Sequence, residues 1–212
     1  MLPTSKKNYL RLTAVFATIG FAGIIYADEV HVMGSTLGSF NANPFVTTDT
    51  LLDLVYDNST FDNTTVGGTL DLGGNPVPGL NFNNLGSFSL GLTDNIYDGN
   101  TFQLMVTFTS PTTIVGGDST VFTDMLFGTV SGGLGGVFID FDNTPQTFFF
   151  SNANEAGSFT MFVNDVSIAP GQSSSLTGHI SGSQLAVPEP TALAGLFVGA
   201  LGLMRLRRSK KA

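Results

Sequence analysis

Along most of the chain apolar and polar residues alternate with a period of two, the pattern of strands that bury one face. FQLMVTF places Phe102, Leu104, Val106 and Phe108 on one side. SFSLGLT does so with Phe88, Leu90 and Leu92, VFIDF with Val137, Ile139 and Phe141, and QTFFF with Phe148 and Phe150. SFTMFVNDVSI, read as a single strand, turns Phe159, Met161 and Val163 inward. Further strands are expected at Glu29 to Met33, Leu51 to Tyr56, Thr69 to Leu72, Ser119 to Val130 and Ser175 to Ser181. None of these runs has the 3.6 period of a helix.

Turn chemistry separates the runs: Gly67-Gly68, Gly73-Gly74, Asp98-Gly99, Gly116-Gly117, Gly132-Gly133, Gly135-Gly136 and Pro170-Gly171. Roughly nine or ten short strands between such turns predict an all-β chain, an antiparallel β-sandwich of jelly-roll-like or Ig-like form. No fixed repeat is visible, which argues against a solenoid or propeller. Phenylalanine is expected to fill much of the core. The Ser- and Gly-rich stretch from Gly171 to Ser183 reads as part last strand and part linker.

Two apolar runs break the alternation, and charge marks them out. All eight lysines and arginines lie at the ends, Lys6, Lys7 and Arg11 at one and Arg205, Arg207, Arg208, Lys210 and Lys211 at the other, whereas all 16 acids lie between Asp28 and Glu189. A basic start followed by the apolar run Leu12 to Ala27 and then Asp28-Glu29 reads as a secretory signal, residues 1–27, cut after Ala27 by signal peptidase. Residues 28–186 then form the body. Residues 187–212 carry an apolar run, Thr191 to Met204, whose basic follow-on obeys the positive-inside rule and places the C-terminus in the cytoplasm. The precursor is therefore expected to have a helix at each end, with its body exported. Cysteine is absent, which excludes cross-links, a thiol nucleophile and a thiolate metal site.

Val187, Pro188, Glu189 and Pro190, then a Gly- and Leu-rich apolar segment, then the cluster Arg205, Arg207 and Arg208, resemble the PEP-CTERM sorting signal of exported bacterial proteins. The resemblance covers residues 187–212. It implies recognition by exosortase, a membrane-embedded cysteine protease, cleavage near Pro188-Glu189-Pro190, and release to the cell surface or a polysaccharide matrix. Similar tails also occur on some ice-binding proteins. The physics of the motif is consistent with such processing: two prolines push Val187 and Glu189 into extended conformations, the form a protease takes.

The body itself offers little reactive chemistry. His31 and His179 are its only histidines, and neither lies in a nucleophile motif, so no enzyme is expected. Nucleic acid is excluded as a partner, because a body without lysine or arginine cannot neutralise phosphates. Two Asp- and Asn-rich loops are candidate calcium ligands: Asp94, Asn95, Asp98 and Asn100 in one, Asp140, Asp142 and Asn143 in the other. No other cofactor is expected. Asn58-Ser59-Thr60 and Asn63-Thr64-Thr65 match the N-glycosylation sequon, which carries little weight in a bacterial protein. The expected role is structural or adhesive, at the surface or in exopolysaccharide. A glycan- or ice-binding module is the alternative and a secreted hydrolase the third reading; ice binding would need a threonine array, of which Thr107 and Thr109 supply one unit.

Overall fold

The computed structural model describes residues 26–27, 29–73, 81–152 and 155–186. Among these there is no helix, and the chain runs from strand to strand. The first half holds β1 (Tyr26–Ala27), β2 (His31–Phe40), β3 (Thr48–Leu51), β4 (Leu54–Asp57), β5 (Thr60–Thr64), β6 (Thr69–Leu72), β7 (Ser87–Leu90) and β8 (Asn95–Ile96). The centre holds β9 (Thr101–Ser110), β10 (Ile114–Val115), β11 (Ser119–Ser131) and β12 (Leu134–Ile139). The last part holds β13 (Gln146–Ser151), β14 (Glu155–Val163), β15 (Val166–Ile168), β16 (Ser173–Ser175) and β17 (Gly178–Ala186).

These strands form three antiparallel sheets, one of which curls into a half-barrel. The first has the order β1-β17-β14-β13-β10, with β6 also paired to β17. The second runs β15-β12-β11-β9-β2-β5, with β8 on β11, and the third runs β16-β7-β4-β3. Alternation sets the register. Phe102, Leu104, Val106 and Phe108 of β9 are all buried, and so are Val137, Ile139, Phe148, Phe150, Phe159, Met161 and Val163. One contiguous core extends from Val30 to Ile180.

Phenylalanine joins the sheets. The Phe108 ring lies 4.9 Å from both Phe148 and Phe159 of the first sheet. Phe102, on the same face of β9, lies 4.9 Å from Phe88 and 5.0 Å from Tyr56 of the third. Such tilted and edge-on pairs add about 0.5–1.5 kcal/mol each beyond their buried area. Room for the rings comes from glycine on β2: a Cβ at Gly34 would fall 2.4 Å from the Phe61 ring, and one at Gly38 would fall 2.3 Å from Tyr56. The buried Tyr56 hydroxyl donates to the Leu85 carbonyl and lies 2.9 Å from the Thr36 hydroxyl, so its polar tip is satisfied inside the core.

Several expectations need correction. Leu51 to Tyr56 is not one strand: Leu52 takes a left-handed φ of 59° and the chain folds into the β3–β4 hairpin. SFTMFVNDVSI breaks at Asn164-Asp165 into β14 and β15, and these two strands belong to different sheets. Ser175 to Ser181 spans the end of β16 and the start of β17, separated by the buried Leu176. The stretch read as partly linker therefore contributes to β17, an interior strand of its sheet. Leu92 lies beyond β7 and is 64% exposed. Gly135-Gly136 is not a turn but lies within β12, where the carbonyls of Thr129 and Ile168 come too close for any Cβ. Gly132-Gly133, with φ of 59° and 75°, does form the two-residue β11–β12 turn. Of the expected terminal helices, Tyr26 and Ala27 form β1 against β17, and the remainder lies outside the described residues.

Candidate functional site

A cleft of about 580 Å³ opens where the third sheet meets β5. It is built by Thr48 of β3, Asp57 at the end of β4, the connector Asn58-Ser59, Thr60 of β5, and the segment Asn81-Phe82. Alternation on β4 buries Leu54 and Tyr56 and leaves Asp57 half-buried at the rim. The chain then bends, because the buried Ser59 is pinned inward, its amide donating to the Thr36 hydroxyl at 2.9 Å. Asn81 locks the other wall: its Nδ2 lies 3.2 Å from the Asp57 carbonyl, 3.0 Å from the Asn58 carbonyl and 2.9 Å from Ser87 Oγ. Its Oδ1 is buried and accepts no hydrogen bond. Phe82 bridges Thr60 through the backbone and keeps its ring 53% exposed.

The polar groups around this cleft are partly uncommitted. Thr48 donates to Asp57 Oδ1 at 2.8 Å, and Oδ2 has no described donor. The Asn58 amide and the Thr60 hydroxyl likewise have no described side-chain partner. A carboxylate oxygen, an amide and a hydroxyl around an exposed ring can grip a ligand that offers hydroxyls on one face and C–H groups on the other. The cleft was not anticipated from sequence. Its one visible sign was Phe82 set among Asn81, Asn83 and Asn84, apolar where a polar loop was otherwise written.

A second constellation centres on Asp53, at the tip of the β3–β4 hairpin. It accepts from the Tyr97 hydroxyl at 2.6 Å, the Asn95 amide at 2.8 Å and the Thr93 backbone N–H at 3.0 Å. The Tyr97 hydrogen bond, the largest cause, together with the other donors holds its carboxyl at about 2, well below the ordinary value. Burial, then the Asp53 carboxylate, pushes the Tyr97 phenol up to about 12. A Cβ at Gly91 would fall 2.1 Å from Asp53 Oδ2, so the loop must pass here as glycine. All partners are internal, and the group serves as a clasp between β8 and the hairpin.

The two candidate calcium loops are placed as follows. Asp94 accepts the Gly132 N–H at 2.6 Å, and Asp98 accepts the Gly128 N–H at 2.7 Å. Asn95 donates to Asp53, and Asn100 joins the Tyr97 carbonyl to the Asn41 amide. Asp142 accepts the Thr144 N–H and hydroxyl, Asn143 donates to Asp165 at 3.4 Å, and Asp140 is exposed. In the first loop Asp94 and Asp98 thus each accept a backbone N–H of the β11–β12 hairpin. Among the described residues no three or more His, Cys, Asp and Glu side chains are grouped to hold a metal ion.

Both histidines enter relays that sequence did not foresee. His179 Nδ1 lies 2.7 Å from Asp71 Oδ1 and its Nε2 lies 3.0 Å from Ser181 Oγ. His31 joins Asp62 at 2.8 Å and Ser110 at 3.3 Å. The first has the distances of a hydrolase triad, yet Asp71 is 87% exposed, so water weakens its hold on the imidazole. Ser181 also sits mid-strand between Thr160 and Thr69, where ladder bonds occupy the backbone donors an oxyanion hole needs. In the hydroxyl row Thr147, Thr160, Ser181 and Thr69, the Thr160 and Thr69 hydroxyls donate to the carbonyls of Ser181 and Val66. Thr107 shares its hydroxyl with Ser119.

Val187, Pro188, Glu189, Pro190, Arg205, Arg207 and Arg208 lie outside the described residues, and Ala27 pairs with Gln184. Among the described residues no helix is long and apolar enough to cross a membrane. Comparison with family models, with curated proteins and with solved structures finds no match to this chain.

Proposed function

We propose that this protein is an exported bacterial component of the cell surface or extracellular matrix, delivered by exosortase and serving a structural or adhesive role. The carrying observation is the order Val187-Pro188-Glu189-Pro190, apolar run, arginine cluster. The body is read as a two-layer antiparallel β-sandwich, supported by the contacts of Phe102 and Phe108 in opposite halves of one sheet face. The core closes between Val30 and Ile180, and of the proposed signal segment only Tyr26 and Ala27, at the edge of the first sheet, pair with the body among the described residues. In this reading signal peptidase removes residues 1–27, the C-terminal segment holds the precursor in the membrane, and exosortase then acts near Pro188-Glu189-Pro190. Replacing Pro188, Glu189 and Pro190 by alanine should leave chains that keep their C-terminal segment in the membrane while the N-terminal cut continues. Mass spectrometry of released protein checks this: released wild-type chains that still end at Ala212 would contradict the processing step.

A second reading, a ligand-binding module for glycans, is favoured by the cleft beside Phe82. The two are compatible, since an adhesive protein of a polysaccharide matrix needs a surface that grips sugar.

A further inference from the structure

We propose that the cleft between Asp57 and Phe82 binds an uncharged pyranose unit of a polysaccharide, stacked on the Phe82 ring and hydrogen-bonded by Asp57, Asn58 and Thr60. The assignment deepens the binding-module reading and rests on it. Three observations converge. The cleft, at about 580 Å³, lies within the range of about 300–1,000 Å³ typical of small-ligand sites. Its polar groups are a carboxylate oxygen, a side-chain amide and a hydroxyl without described partners, set above a wall that Asn81 and Ser59 hold rigid. Phe82 is 53% exposed although its backbone is fixed to Thr60, so a large apolar ring is presented to solvent at a defined place.

Sugar chemistry fits this set better than other ligands. A pyranose presents equatorial hydroxyls at its edge, which a carboxylate and an amide can bind as acceptor and donor. Its axial C–H groups form a weakly apolar face, which a ring can cover. Charge narrows the class further. With Asp57 in the wall and no lysine or arginine anywhere between Leu12 and Met204, a uronate or sulfated sugar would be repelled without compensation. A cationic polymer would be attracted everywhere on the acidic surface, without selecting this cleft, and its binding would fade with salt. An uncharged sugar is the class whose binding depends on the cleft alone.

Calorimetric or NMR titration tests this on the full chain held in a zwitterionic detergent that carries no sugar. The probes are cellohexaose, maltohexaose and laminarihexaose as neutral chains, and hexagalacturonate as the anionic one. At least one neutral probe should bind saturably, with affinity little changed by added sodium chloride, while hexagalacturonate does not bind. Phe82→Ala should weaken that binding by about tenfold or more, and Asn58→Ala by a comparable factor. Both side chains are outside the core, so thermal melts should show both variants folded. Should Phe82→Ala melt early, Phe82→Tyr, which keeps the ring, should restore both folding and binding. Saturable binding to none of the neutral probes, preference for hexagalacturonate, or equal affinity in Phe82→Ala would overturn the site. None of these outcomes bears on the sorting signal, which the mass of the released chain tests separately.

Discussion

Asp53 shows how a single carboxylate organises one end of the molecule. Its three donors come from Thr93, Asn95 and Tyr97, some 40 residues further along, so no local pattern in the sequence announced the clasp. Because its folded pKa, about 2, lies below the ordinary 3.8, the unfolded chain binds more protons in between. The stabilisation is therefore complete above about pH 4 and is lost as pH falls towards 2. Allowing for solvent, Asp53→Asn should cost about 1–2 kcal/mol at neutral pH, and its gap to wild type should close over that acid window. Urea unfolding at a series of pH values reads this directly; a gap independent of pH would remove the clasp from the account. The cleft residues were hidden for the same reason. Asn58 and Asn81 stand 23 positions apart, and only the folded chain brings the Asn81 amide onto the Asn58 carbonyl.

Strands were legible where one face is continuously apolar. The segment from Phe102 to Phe108 alternates without exception, and β9 follows it, burying Leu104 and leaving Gln103 only partly covered. Leu104→Asp should cost several kcal/mol, on the order of 3 or more, by burying an unpaired carboxylate, whereas Gln103→Asp should cost about 1 kcal/mol or less. Equal shifts in thermal melts of the two variants would contradict the register. Elsewhere the pattern misled for definable reasons. LLDLVY offers apolar residues at nearly every position, so nothing marks the turn at Leu52, a residue that seldom takes positive φ. TFDNT of β5 has one buried apolar residue, Phe61, and reads as loop until β2 supplies its partner. Gly34 and Gly38 fall at inward positions of β2, which cut the expected strand short at Met33. Their vacancies accept rings from β4 and β5 that sequence could not bring there.

For the whole molecule, charge is the dominant constraint. Residues 28–186 carry 13 aspartates and 2 glutamates with no lysine or arginine, and the two histidines are already paired with Asp62 and Asp71. Self-repulsion opposes the compact state, and salt screens it over about 8–10 Å at physiological strength. The melting temperature of the full chain should therefore rise with added sodium chloride, and a flat response would contradict the repulsion. Calcium at matched ionic strength separates screening from chelation: a further rise in calcium alone would show an ion bound to the folded state by mass action, with the Asp94 to Asn100 and Asp140 to Asn143 loops as the candidates to mutate. Composition carries this expectation, whereas the all-β class rests on alternation and turn chemistry. What composition and alternation left open was the assembly of strands into three sheets, because pairings such as β17 with β6 join residues more than 100 positions apart.

The place of β17 in its sheet has a mechanical consequence. It is the last described strand, the proposed sorting segment follows it in sequence, and it lies inside its sheet, bonded along nine residues to β14 and along four to β6 on the opposite side. A pull directed along β17 would load these bonds at the same instant, so they must slide together before any one yields. A final strand at the sheet edge, pulled sideways, would instead give way bond by bond. If the proposed sorting holds, a load on the C-terminal side of the body would meet a strand placed to resist shear.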